Sequence, residues 1–348
     1  MSKKIVFFLA LFSTFCHSQD IHLSQFYASD YLLNPAKIGD HEGDFRFSAN
    51  YRNQWRQIGK QPISTFIAGF DHMFYLKNYE FDAGIMLASD RFSGSEYNTI
   101  SNSNIEYVVN TSKVMLSLGC GKQVGNQFFR AGIQTGVLSS ATDPENQSFP
   151  SQWEFNLGDF NTKKPSLESN LKSSKKVLDI SIGGQWSTKI DQLQPKLGFS
   201  LSHINRPLIT FFDAKGERLK VKKILYSECD FPLNELVTIQ PKLFFMWTNK
   251  SNDFLMGSHI RKRMDNNKIA SVNAGLFYRH GIARNLDAII PSIGIHWKRW
   301  DFGLSYDVTL SSMSSGVGVK TKGSLEFSAI YTSDSTIPKN AYVQCDRY

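Results

Sequence analysis

Between Asp44 and Trp55 the chain reads DFRFSANYRNQW. Phe45, Phe47, Ala49 and Tyr51 alternate with Arg46, Ser48, Asn50 and Arg52. A period of two puts each set on its own face of an extended strand. The pattern returns along the chain. In DFGLSYDVTL, Phe302, Leu304, Tyr306, Val308 and Leu310 share one side, while Gly303, Ser305, Asp307 and Thr309 share the other. In LDISIGGQW, Leu178, Ile180, Ile182 and Trp186 oppose Asp179, Ser181, Gly183 and Gln185. An amphipathic helix would space its apolar residues by three and four instead. Strands of about ten residues, apolar on one face and polar on the other, behind an N-terminal export signal, predict an all-β fold: a transmembrane antiparallel β-barrel of the outer-membrane type.

Fifteen segments read as strands, near 45–55, 63–76, 80–89, 97–109, 112–122, 127–138, 177–188, 195–204, 220–231, 235–247, 253–263, 269–279, 288–298, 301–311 and 322–332. Bacterial single-chain barrels have an even strand count, short periplasmic turns and longer outer loops. From residue 177 onward the connections alternate: 189–192 is short, Arg206–Leu219 long, Pro232–Asn234 short, His280–Asp287 long, Lys298–Trp300 tight and Ser312–Thr321 long. Counted back from a periplasmic C-terminus, nine strands place Ser139–Lys176 outside, so an odd number must precede it. Six segments stand there. The alternation therefore merges 97–109 with 112–122, with polar Asn98–Asn104 drawn toward an outer loop. The expectation is about 14 strands, with 12 or 16 as the alternatives.

The ends divide the chain further. Met1–Ser18 has the three parts of a signal peptide: Lys3 and Lys4, the apolar run Ile5–Phe12, and small residues Cys16 and Ser18 ahead of a cleavage point before Gln19. Bulky Phe15 argues against lipoprotein processing at Cys16. Residues 19–44 are too irregular to span a membrane, yet Phe26, Tyr27, Tyr31, Leu32 and Leu33 want burial. They are expected to fold into or under the periplasmic mouth as a plug, with Asn34-Pro35 as a turn signal. The barrel is expected over 45–332 and a periplasmic tail over 333–348.

Composition changes this picture little. Mean hydropathy is −0.29, with 13% aromatic residues, which suits a wall that shows lipid only alternate residues and carries aromatic girdles. The net charge of +8 falls to +6 without Lys3 and Lys4. The surplus lies in loops such as Lys163–Lys176 and Arg261–Arg263, and no basic helix or aromatic-interleaved motif suggests nucleic acid. Cys120, Cys229 and Cys345 show no zinc spacing; one disulfide or three unpaired thiols fit equally. No GxSxG, HExxH or P-loop is present. His203, Ser202 and Asp213 can be drawn as a triad only on paper, because a triad is defined by geometry. Neither catalytic residues nor a cofactor or metal site is expected.

Two sets of residues remain as candidate interaction positions. Arg46, Arg52, Gln54 and Arg56 form a polar stripe that, lining a lumen, would pair with Asp71, Asp179 or Asp307 as an internal network, or else recognise a ligand. Trp153, Phe155 and Phe160 in Ser139–Lys176, and Phe211 and Phe212 in the loop after Arg206, are candidate partner contacts. The same aromatics would also suit a membrane interface, and the long polar segment also reads as a mobile solvated loop.

Several pieces resemble the PorP/SprF family of outer-membrane proteins associated with the type IX secretion system. They are Ser24-Gln25-Phe26, Leu33-Asn34-Pro35-Ala36 with Gly39, Tyr51-Arg52-Asn53-Gln54-Trp55, Ser202-His203-Ile204-Asn205-Arg206-Pro207, Ser305-Tyr306-Asp307 and Gly323–Phe327. The tail Cys345–Tyr348 is similar to a family ending, with Asp346 where Pro is usual, and 97–122 fits least well. The resemblance implies a non-enzymatic barrel that assists export or surface anchoring of a partner, such as a large gliding adhesin, by binding its C-terminal domain beside other type IX components. Asn34, Pro35, Tyr51, Arg52, Asn53, Gln54, Trp55, His203, Arg206, Pro207 and Asp307 are its motif positions here. The competing expectation is an outer-membrane pore for small solutes, which rests on fold alone.

Overall fold

A computed structural model of the chain describes residues 21, 23–54, 63–76, 79–98, 103–142, 150–161, 163–165, 174–209, 218–249, 251–264, 269–281, 286–310 and 323–336. The strands are β1 (Phe45–Gln54), β2 (Ile63–Leu76), β3 (Tyr79–Asn98), β4 (Ser103–Val124), β5 (Gln127–Thr142), β6 (Trp153–Glu154), β7 (Asp159–Phe160), β8 (Ser174–Thr188), β9 (Gln194–Ser202), β10 (Lys222–Pro232), β11 (Val237–Trp247), β12 (Asn252–Arg263), β13 (Ile269–His280), β14 (Leu286–Trp297), β15 (Trp300–Thr309) and β16 (Ser324–Thr332). β6 and β7 pair only with each other. The other 14 close into one antiparallel barrel. Its seam joins β1 to β16 from Arg46↔Thr332 to Gln54↔Ser324.

Period-two alternation dictates this wall. Phe47, Tyr51, Phe66, Leu116, Leu118, Ile133, Phe199, Leu276, Ile293 and Phe327 are exposed on the outer face. Arg46, Asn50, Arg52, Asp71, Asp82, Arg130, Gln134, Ser200, Arg279, Asp307 and Glu326 are buried on the inner one. A soluble protein would reverse that order; a barrel in lipid requires it. Outward aromatics gather near the strand ends: Trp300 lies 5.1 Å from Tyr331, and Phe245 stacks 4.9 Å from Trp247. Closure removes every sheet edge that lipid could not satisfy.

The count of 14 and the merger of 97–109 with 112–122 hold, and two expectations need correction. Asn98, Ser103 and Asn104 are not outer loop but strand, because β3 and β4 pair from Tyr79↔Lys122 to Asn98↔Ser103. The polar stretch around Asn98 continues the ladder beyond the length that lipid requires. Five strands thus precede the long connection, the odd number its alternation demands. Ser139–Lys176 is also not one polar loop: its ends extend β5 and β8, and Pro150–Gln152 leads into the β6–β7 hairpin.

Tight connections, such as Gly125-Asn126 with Gly125 at φ 60°, occupy the barrel end where β1 begins and β16 finishes. That end is the short-turn end, and the opposite one the long-loop end. Cys120 and Cys229 are free thiols on separate strands; Cys345 lies outside the described residues.

The wall analysis makes a direct prediction. Ile133→Arg, on the lipid face in mid-strand, should cost about 2–4 kcal/mol in reversible folding into lipid vesicles. An unchanged urea midpoint would contradict the assigned outer face.

Candidate functional site

The lumen is filled by the protein's own chain. Residues 23–44, with Ile21 ahead of them, form a strap that runs through the barrel in three short turns: Phe26–Ala28, Asp30–Leu33 and Pro35–Lys37. Inside a closed wall no sheet edge is available to it, so its backbone pairs locally, as in Ala28 N–H to Gln25 O at 2.9 Å and Asn34 N–H to Asp30 O at 2.9 Å. The Asn34 side chain caps the third turn by accepting from Ala36 N–H at 2.9 Å, and Pro35 follows as the first turn residue. That amide also donates to Gly184 O at 2.9 Å and to the Tyr226 hydroxyl at 3.2 Å. Inward glycines let the strap approach this closely. A Cβ on Gly132 would lie 2.5 Å from the Pro35 carbonyl, and one on Gly183 would overlap the Asn34 side chain.

Apolar residues wedge the strap from two sides. Phe26 stacks on Phe244 at 5.1 Å and joins Leu33, Ile224, Tyr226, Met246, Leu255, Phe277 and Ile290. Ile21, Leu23, Tyr31 and Ile38 pack with Ile67, Met86, Ala88 and Met115 on the other wall. Each such side chain contributes on the order of 1.5–3 kcal/mol by burial.

Charges lock it at three levels. Nearest the long-loop end, the Glu326 carboxylate accepts Ser24 N–H at 2.8 Å and Gln25 N–H at 2.9 Å. Ser24 Oγ donates to Asp307 at 2.8 Å, Arg52 pairs with Asp307 at 3.0 Å and Glu326 at 3.3 Å, and Arg279 reaches Asp307 at 2.9 Å. In the middle, Arg46 pairs with Asp71 at 3.0 Å and also with Asp30, the Tyr31 hydroxyl donates to Asp71, and Lys37 lies between Asp30 at 3.0 Å and Glu228 at 2.7 Å. Nearest the short-turn end, Arg130 donates to Ala36 O at 3.1 Å and Ile38 O at 2.8 Å while pairing with Asp82 and Glu80; Asp40 meets Lys196 at 2.7 Å.

The strap's own titrating groups reflect this pairing. Burial alone would lower Lys37, but the Asp30 and Glu228 carboxylates outweigh it and hold the ammonium well above the ordinary lysine value. Burial would raise Asp40, but Lys196 and Arg130 outweigh it and hold the carboxyl well below the usual carboxylate range.

The sequence-derived positions separate into groups. Asn34, Pro35, Arg52 and Asp307 belong to the strap and its locks. Arg46 meets Asp71 and Arg52 meets Asp307, whereas Asp179 is met by His203 Nδ1 at 2.8 Å. Tyr51 faces outward and accepts from the Asn53 amide at 3.2 Å; Gln54 ends β1. His203 and Arg206 turn the chain after β9 with φ of 60° and 47°, and Pro207 O accepts Leu219 N–H at 2.9 Å. Trp153 and Phe160 pack edge to face at 4.8 Å across the β6–β7 hairpin, leaving Phe155 (91% exposed) and Leu157 (60% exposed) at its tip. Trp55, Arg56, Phe211, Phe212 and Asp213 lie outside the described residues. Sequence reasoning passed over Glu326, Arg279, Arg130, Asp82, Glu228, Ser24 and Gln25 as site residues. A usable signal exists for the wall residues, since each is a charge at an inward position of an alternating strand.

The family model of the type IX secretion system membrane protein PorP/SprF matches residues 15–331. The chain belongs to this family. Among solved structures, this PorP/SprF barrel is similar in shape to the Ralstonia pickettii toluene transporter TbuX, with a TM-score of 0.55 at 10% identity over 87% of this chain and 92% of that one. It is likewise similar to the Pseudomonas putida toluene transporter TodX (0.52, 10%, 90% and 94%) and to the CymD monoaromatic hydrocarbon channel (0.51, 11%, 88% and 92%). Identities this low establish a shared fold and no more. The search of curated proteins found no significant match. The PorP/SprF protein is thus a membrane β-barrel of the type IX secretion system.

Two outcomes follow from the locks. Arg52→Ala removes the cation shared by two buried carboxylates, leaving Glu326 with the strap amides and Asp307 with Arg279 and Ser24; it should destabilise the PorP/SprF barrel by about 1.5–3 kcal/mol, read as a lowered urea midpoint, and an unchanged midpoint would show the network to be idle. With pH, Asp40 contributes above its unfolded value of about 3.9 and loses that contribution as pH falls through its lower folded value. Lys37 contributes below about 10.4 and loses its share as pH rises through its higher folded value. A reactive probe on Leu32→Cys should therefore stay blocked between about pH 4 and 10, and labelling at pH 7 equal to that of the denatured chain would contradict a seated strap.

Proposed function

We propose that this protein is a non-enzymatic docking and anchoring barrel of the outer membrane. It receives a surface protein exported by the type IX system, such as a large adhesin, through that partner's C-terminal domain. The short-turn end faces the periplasm and the long-loop end faces outward, following the arrangement of bacterial barrels. The observation that carries this reading is the filled lumen. A wall many of whose inward charges are paired with its own strap is built as a packed core more than as a solute channel, so recognition belongs to the rim and loops. Phe155 and Leu157, exposed on a hairpin whose own core is Trp153 and Phe160, are suited to a partner's apolar pocket. His203, Arg206 and Pro207 shape the rim beside β9.

The strap on this reading is a plug. The likeness to hydrocarbon transporters supplies the second reading, a small-solute pore, and one measurement separates the two. In planar bilayers the intact protein should be closed, and deletion of residues 20–38 should open it; a conducting intact barrel would favour the pore. For docking, the detergent-solubilised protein should retain a large surface protein from native membranes. Phe155→Ser combined with Leu157→Ser should lower that recovery about tenfold, or roughly 1.4 kcal/mol, with the folded-barrel gel mobility unchanged. Recovery of the barrel alone from membranes rich in surface proteins would remove the anchoring role.

A further inference from the structure

The strap does more than occupy volume, because of where its polar contacts fall. A barrel has one pairing that cannot form until all the others exist, that of the first strand with the last, and here it joins β1 to β16. Nine partner positions hold it, within the range that runs from six between β8 and β9 to 20 between β3 and β4. The strap crosses that pairing at both ends. Near the long-loop end, Ser24 and Gln25 sit between β1 and β16. Ser24 Oγ accepts from Arg52 of β1 at 2.6 Å, and the two strap amides donate to Glu326 of β16. The Gln25 side chain donates to Glu326 O at 2.9 Å and to Ser305 of β15 at 3.1 Å, and accepts from Ser328 of β16 at 2.7 Å. Near the short-turn end, where the strap becomes β1, Asp44 N–H and Phe45 N–H both donate to Ser333 Oγ, at 2.9 and 3.0 Å. Between these points Asp30 of the strap holds Arg46 of β1.

We infer that the strap laces the seam: it binds the last two strands to the first, and the wall closes around it rather than admitting it afterwards. Three arrangements support this together. The strap residues at the seam offer two backbone amides to Glu326 and side chains to Arg52, Ser305 and Ser328, so they hold both sides of the seam as a short bound peptide. Arg52 and Glu326, the wall charges that flank the seam, are each satisfied in part by Ser24. And the packed lumen, with strap atoms against inward glycines on β5 and β8, leaves little clearance for threading through a finished wall. The lacing is independent of which surface protein the barrel serves.

The test is assembly from denaturant into detergent micelles, followed by the gel shift between folded and heat-denatured barrel. Deleting residues 21–38 should slow the appearance of the folded band at least tenfold. A synthetic peptide of residues 21–43 added before dilution should restore it, and the same peptide added afterwards should not. A deletion variant that folds at the full-length rate and yield overturns the inference, and if that barrel also conducts, the plug reading survives alone. The milder pair Ser24→Gly with Gln25→Ala supplies a second readout, in the folded protein. Hydrogen exchange at β1 and β16 amides should rise at least tenfold, with the β3–β4–β5 amides unchanged. Uniform acceleration, or none, also overturns it.

Discussion

Charge inside a wall surrounded by lipid must be neutralised from within, and that constraint organises this protein. The outer face can hold no ions at mid-membrane, so the charges of the mid-strand positions point inward. A wide water-filled lumen would solvate them. Here the chain supplies its own solvent substitute: a strap bearing Asp30, Lys37 and Asp40, backbone amides at Ser24 and Gln25, and backbone carbonyls at Ala36 and Ile38. Each strap group faces a wall group of the complementary kind.

The same constraint explains why the strap is irregular. A helix of useful length would satisfy its own backbone and have nothing to offer Glu326 or Arg130. Three single turns leave amides and carbonyls free for those side chains. Asn34 and Pro35 stop and restart the backbone where the wall is thinnest in side chains, opposite Gly183 and Gly132. Membership of the PorP/SprF family and the 14-stranded shape are therefore joined by an interior that is closer to a folded core than to a channel.

Much of this was legible in the chain. Alternation in DFRFSANYRNQW and DFGLSYDVTL placed Arg46, Arg52 and Asp307 on one face and the aromatics on the other, and loop alternation gave the strand number. The merger around Asn98 was legible only through parity, because β3 and β4 continue as a polar ribbon that local pattern cannot tell from a loop. The pairing of Arg52 with Asp307, instead of with any other inward carboxylate, was not legible. Partners across a lumen depend on shear and tilt, which no single strand encodes. Trp153 and Phe160 show the same limit: both are large aromatics in a polar segment, and only the hairpin register reveals that they face each other and leave Phe155 to the solvent.

Burial of the locks has a consequence for how the molecule meets its surroundings. Mobile ions screen charges over about 10 Å at 0.1 M salt, but only where they can enter. Arg52, Asp307, Glu326, Arg46, Asp71 and Arg130 are all buried, whereas Lys163 and Lys164 stand in the open by the base of the hairpin. Ionic strength therefore divides the protein into two regimes. Brine and fresh water leave the interior alike, while any attraction felt by the loops rises and falls with the medium.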